Sequence, residues 1–230
     1  MSLIVLLAPM FLSGCKGPTT TYSGYDMSDR FPLDGDRVWE FANESKPYIL
    51  RVEMDRAFVE MDDSEVHTFE FFDRDAGDLL MTMKWSSDSL HGVRLWGYEV
   101  VAEEPTGGDS NDTGTPQGAS GPLESFEFDP PITFADRKMV PGDAVETETG
   151  GMTFTSTFAY EEECPNHLVS GDLSWSCLRM DLDDGDGDST SGLRIAGTYW
   201  IASRYTWSWF QFSGDADKWI LTDFEWTAED

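Results

Sequence analysis

Apolar and polar side chains alternate with a period of two along most of this chain, and that confines it to antiparallel β-sheet. Tyr48, Leu50, Val52 and Met54 alternate with Ile49, Arg51, Glu53 and Asp55. Leu79, Met81, Met83 and Trp85 alternate with Leu80, Thr82, Lys84 and Ser86. Met152, Phe154, Ser156, Phe158 and Tyr160 alternate with Thr153, Thr155, Thr157 and Ala159. Successive strand side chains point to opposite faces, so this pattern puts one face on a core and the other near water. Further strands are expected at 66–72, 93–101, 125–128, 173–178, 193–201, 207–212 and 219–226. Past the first fifteen residues no stretch carries apolar residues at i, i+3, i+4 and i+7, so no amphipathic helix is expected. Asp34-Gly35, Asp75-Ala76-Gly77 and Gly214-Asp215 supply turn chemistry between the strands. The expected fold is all-β, an antiparallel barrel or sandwich of about ten strands.

Charge narrows the function. The 230 residues include 44 acidic and 15 basic side chains, for a formal net charge of −29. Nucleic-acid binding needs clustered Lys and Arg, and adhesion to anionic lipid needs basic patches. Such a surface favours solubility and cationic counter-ions. The segment 103–122 has five Gly, three Pro and no aromatic residue, and reads as a flexible insertion inside one domain spanning 31–230.

The first fifteen residues carry the strongest compartment signal. Met1 to Gly14 hold no charged side chain, and the apolar run ends in Ser13, Gly14 and Cys15. A bilayer span needs about 20 apolar residues, so this run matches the core of a signal peptide instead. The tetrad Leu12-Ser13-Gly14-Cys15 resembles a bacterial lipobox. That resemblance implies cleavage after residue 14, lipidation of Cys15 and a membrane anchor of several acyl chains. Lys16 stands after the cysteine where Asp does not, and by the same resemblance this implies the outer membrane. Residues 15–30, rich in Thr, Ser, Gly and Asp, are expected to form a tether. The opening Phe31-Pro32-Leu33, Gly35, Trp39-Glu40-Phe41 resembles the start of uncharacterised bacterial envelope lipoproteins, and Gly197-Thr198-Tyr199-Trp200 resembles their closing segment. Neither match brings a catalytic residue.

With Cys15 lipidated, Cys164 and Cys177 remain as a pair in an exported chain and are expected to form a disulfide. Its short loop implies a stabilisation of about 3 kcal/mol on the chain-entropy model. Asp184, Asp186 and Asp188 have the alternate spacing of a hard-cation loop. Ser189 and Ile195 stand where an EF-hand needs Gly and Glu, so a solvated acidic turn is the main reading and a weak Ca²⁺ site the alternative. No other cofactor is expected. His67, His91 and His167 lie at no metal-ligand spacing, and neither GxSxG nor SxxK occurs.

Aromatic residues crowd the last strands. Trp200, Trp207, Trp209 and Trp219 are the candidate ligand-binding side chains, with Trp207 and Trp209 expected on one strand face and Phe210 and Phe212 on the other. Core packing is the main reading of such a cluster and a ligand surface the alternative. The expectation is a monomeric, lipid-anchored envelope lipoprotein with a structural or binding role and no catalysis. Its rivals are a carrier of a lipid or acyl chain, a carbohydrate binder and, last, a hydrolase. A filled core tells against the carrier, and burial of Trp207 together with Trp209 tells against the carbohydrate binder.

Overall fold

A computed structural model describes residues 24–101, 123–164, 176–185, 195–203 and 205–227. The strands in chain order are β1 (Tyr25–Asp26), β2 (Asp36–Ala42), β3 (Leu50–Met61), β4 (Ser64–Asp73), β5 (Leu79–Asp88), β6 (Gly92–Val101) and β7 (Leu123–Ala135). They continue with β8 (Lys138–Met139), β9 (Ala144–Thr149), β10 (Met152–Glu163), β11 (Ser176–Asp183), β12 (Gly197–Ala202), β13 (Thr206–Phe212) and β14 (Trp219–Thr227). A 3-10 turn, Ser28–Arg30, follows β1. The all-β antiparallel reading holds, and the principal sheet has 12 strands in the order β7-β6-β5-β4-β3-β2-β14-β13-β12-β11-β10-β9.

That order is chain order wrapped into a ring. One meander runs from β2 to β7 and a second from β9 to β14, and they join where β2 pairs with β14. The far edges, β7 and β9, lie against each other and nearly close the ring as a barrel. They share no ladder. Pro130 and Pro131 stand within β7, and proline brings no N–H to a ladder. Side chains close the seam instead. The Thr133 amide donates to Thr147 Oγ1 at 3.1 Å, and the buried Ser156 hydroxyl donates to the Phe134 carbonyl.

An eight-strand ring is about the size that ordinary side chains fill, and a larger one leaves room. Here aromatic rings take up the room. Trp39, Trp85, Trp207, Phe69, Phe134 and Tyr199 are all at most 1% exposed. Phe31, which belongs to no strand of the ring, stands among them. Its ring lies 5.3 Å from Trp85, 5.8 Å from Trp207, 6.3 Å from Phe134 and 6.5 Å from Phe69.

The segment that carries Phe31 crosses one end of the barrel. β1 pairs with β8 beside the seam, and Met27 is fully buried. Farther on, the Pro32 carbonyl accepts the Thr206 hydroxyl at 3.1 Å. That contact lies where β13 and β14 diverge, since their ladder holds only Trp209↔Ile220 and Phe210↔Trp219. Thr206 sits at φ 62°, a left-handed conformation that a β-branched residue seldom adopts, and the hydroxyl contact holds it there. Residues 25–31, most of which fall in the range 15–30 expected as a tether, pack with the barrel. Cys15 and the insertion 103–122 lie outside the described residues.

Strand directions sort the connections between two ends. The incoming chain shares one end with the β3–β4, β5–β6 and β12–β13 turns and with the last residues of β14. The β2–β3, β4–β5, β9–β10 and β13–β14 turns occupy the other.

Candidate functional site

The outer face of the β10–β13 wall carries the densest group of candidate binding side chains. Strand register aligns Tyr160, Arg179, Trp200 and Trp209 as one row across four strands. Such lateral neighbours have Cβ atoms about 4.5–5.5 Å apart, close enough for side chains to stack. The Arg179 guanidinium lies 5.2 Å from the Tyr160 ring centre and 5.6 Å from that of Trp200. Lys218, from the β13–β14 turn, places its ammonium 4.2 Å from Trp200 and 4.4 Å from Trp209. Each cation–π contact contributes about 0.5–1 kcal/mol where water reaches it and about 2 where it does not.

This row rests on a small second core made of Trp200, Ala202 and the Cys164–Cys177 disulfide. The disulfide joins residues 13 apart with Cα atoms 5.1 Å apart, as the pairing of the two cysteines predicts. Trp200 is only 3% exposed, and its indole N–H donates to the Glu162 carboxylate. Trp209 meets it edge to face, with an interplanar angle of 67°. The two indoles therefore do not form a flat platform.

Two residues farther toward the opposite end, and so on the same face, register aligns Asp181, Thr198 and Gln211. The Asp181 carboxylate accepts from Thr198 Oγ1 at 2.7 Å and from Arg179 Nε at 3.1 Å. These side chains, with Asp183, Phe212 and Asp215, line an open cleft of about 570 Å³. Gly197 stands in its wall because β12 and β13 approach closely there: a Cβ would collide with the Gln211 carbonyl oxygen. The cleft sits at the end of the barrel away from the incoming chain. It offers a hydroxyl, an amide, a guanidinium and carboxylates, a set suited to hydrogen bonding with a polar ligand.

The candidate tryptophans separate into two pairs. Trp200 and Trp209 face outward, whereas Trp207 and Trp219 belong to the barrel core. This corrects the expectation that Trp207 and Trp209 share a face. A register shift between Trp200 and Ile201 pairs Trp200 with Trp209 but Ile201 with Trp207, leaving Ser208 as an extra residue. Such a bulge breaks strict alternation, so Trp207 turns inward and Trp209 outward. The Trp219 indole donates to Asp215 Oδ2 at 2.9 Å, which ties the cleft rim to the core.

Asp184 reaches the cleft, while Asp186 and Asp188 lie outside the described residues. Among the described residues no group of His, Cys, Asp and Glu side chains is arranged to hold a metal ion. A second polar group, at the end of the barrel that the incoming chain crosses, joins Ser64, Asp88 and His91. Ser64 Oγ donates to Asp88 Oδ2 at 2.9 Å, and His91 Nδ1 lies 3.1 Å from Asp88 Oδ1. Burial alone would raise the Asp88 pKa, but the His91 and Leu90 amides, the Ser64 hydroxyl and the His91 ring hold it below the usual value. The carboxylate stands between hydroxyl and imidazole, so the ring is not placed to take the serine proton. Sequence reasoning missed Tyr160, Arg179 and Lys218 as partners of the tryptophans. The positions of Arg179 and Tyr160 follow from register, which the sequence does not display.

No protein-family model, no curated protein and no solved structure matches this chain.

Proposed function

We propose that this chain is an exported lipoprotein, anchored through Cys15 to the outer membrane, whose folded domain is a non-catalytic binding or structural module. The close packing of aromatic rings inside the barrel, among the described residues, is the observation that supports the domain part of this reading. A carrier of lipid or acyl chains needs an internal cavity, and here Trp39, Trp85, Trp207 and Phe31 occupy the centre of the ring. Binding then falls to the outer surface. The disulfide suits an oxidising compartment. Outward positions such as Arg51, Glu53, Glu65, Thr68, Glu70, Glu146 and Glu148 are polar or charged. A barrel that crosses a membrane presents an apolar band to lipid instead.

Replacing Cys15 by Ser tests the anchor: the protein should leave the membrane fraction or stall as unprocessed precursor. Unchanged fractionation refutes lipidation. Native mass spectrometry of the exported domain tests the filled core, with a bare monomer expected and a retained lipid contradicting it. The carbohydrate reading now rests on Trp209 and the adjoining cleft. Glycan binding that Trp209→Ala abolishes would bring it forward.

A further inference from the structure

β3 is 12 residues long, but β2 covers only its first part. The β2–β3 ladder runs from Phe41↔Leu50 to Arg37↔Met54 and stops. A bulge over residues 55–57 follows, and then Phe58, Val59, Glu60 and Met61 pair with His67, Val66, Glu65 and Ser64 of β4. Their other side has no strand partner among the described residues. In an antiparallel strand the backbone N–H and C=O groups point alternately to the two sides, so this stretch offers an unfilled row of donors and acceptors.

Natural sheets blunt such edges with Lys, Pro or a covering segment. No Lys or Pro occurs between Asp55 and Glu65. Phe58 is instead 50% exposed and Val59 65% exposed. They project to opposite faces of the strand, so either face of an added strand would find an apolar neighbour. The tight turn at Asp62 and Asp63, with φ of 45° and 60°, holds the hairpin in this register.

The charge around the edge is mostly negative. Asp55, Glu60, Asp62, Asp63 and Glu65 surround it, with Arg56 as the one cation in the stretch 55–65. Among the described residues Glu60, Asp63 and Glu65 form no ion pair. A second copy of the chain would bring the same carboxylates against themselves, and like charges directly opposed in a sheet destabilise the pairing.

We infer that the edge at residues 58–61 receives an extended, Lys/Arg-bearing segment of a partner protein by strand addition. Main-chain hydrogen bonds supply the affinity of this mode, and alternate side chains supply the selectivity. Here the selectivity elements are Phe58 and Val59 for apolar side chains, and Glu60, Asp63 and Glu65 for flanking cations. The inference rests on the binding role proposed above and not on the anchor. If it fails while Cys15→Ser still releases the protein from membranes, only this inference falls.

The test titrates the full chain with the synthetic peptide Lys-Lys-Val-Thr-Val-Thr-Lys while backbone amide NMR signals are followed. Shifts should centre on residues 58–61, and affinity should fall as salt rises. A peptide with Glu in place of every Lys should bind at least about tenfold more weakly, a difference of about 1.4 kcal/mol. The basic peptide N-methylated at alternate residues cannot donate along one edge and should lose binding. The protein is unchanged in that comparison, so folding does not enter. Equal binding of the methylated and unmethylated peptides would overturn strand addition in favour of plain charge attraction. Shifts confined to the cleft at Thr198 and Gln211 would overturn the location. A dimer formed through residues 58–61 at NMR concentration, or the same shifts produced by phosphatidylcholine vesicles alone, would overturn the choice of partner.

Discussion

Two places in this barrel leave strand edges without a backbone ladder, and the molecule treats them differently. At the β7–β9 seam, Ser156 and Thr147 replace ladder bonds with side-chain bonds, and the β1–β8 pair packs alongside. At the end of β3 nothing comparable covers residues 58–61 among the described residues, and exposed Phe58 and Val59 stand there. The seam shows that side chains of this fold can close a gap. The open edge is thus not imposed by the fold, and a strand edge with exposed apolar side chains is a place for another chain.

The largest expected effect comes from removing the ring on which both halves converge. Phe31→Ala should destabilise the fold by about 3–5 kcal/mol, as for other buried aromatic truncations. Chemical denaturation measures this, and a loss below about 1 kcal/mol would mean that Phe31 does not fill the barrel centre. Replacing Cys164 and Cys177 together by Ala should cost about 2–4 kcal/mol. That loss should fall on the closed side of the comparison, loosening the Trp200 region and leaving the amides of β3 and β4 unchanged.

Ser156→Ala leaves the Phe134 carbonyl without its buried donor and should cost about 1–3 kcal/mol. Its amide-exchange signature should be faster opening of β7 and β9. If only β10 responds, Ser156 does not close the seam. Val59→Lys on the open edge should change stability by no more than about 0.5 kcal/mol, as for exposed positions generally. A loss of several kcal/mol would mean that Val59 is covered in solution.

The smallest effect is a pH dependence near the same hairpin. Burial of His67 lowers its pKa below the ordinary 6.5, despite raising contributions from the Asp55 carbonyl and from Glu65. Its contribution to stability is therefore complete above pH 6.5. It declines as pH falls through that value, because the unfolded chain takes up the proton first. His67→Gln should flatten the stability curve just below pH 6.5. The Asp88 contribution is lost only at more acid pH, below its ordinary 3.8, so the two separate in one titration.

Alternation made the strand content legible, because period-two patterning follows from the pleat itself. The strands at 66–72, 93–101, 207–212 and 219–226 lie inside β4, β6, β13 and β14. The sequence was silent where alternation breaks. The strand expected at 125–128 runs to Ala135, because edge position tolerates Pro130 and Pro131. β9 escaped notice because Glu146 and Glu148 flank only Thr147 and Val145, too little apolar content to mark a strand. The bulge at Ser208 divided the tryptophans between inside and outside, and no propensity marks a bulge in one sequence. The open edge is likewise a matter of which strand ends first, a relation between β2 and β3 that neither segment records. The cysteine pairing was legible because the sequence reading sets Cys15 aside for lipidation, and the two thiols left have one pairing.

Amide hydrogen exchange along β3 and β7 in the full chain tests the contrast between edge and seam most directly. The account predicts that alternate amides among residues 58–61 exchange as exposed groups, that Thr133 stays protected, and that the basic peptide slows the edge amides alone. Uniform protection of residues 58–61 in the free protein, or exchange at Thr133 as fast as at the edge, would contradict it.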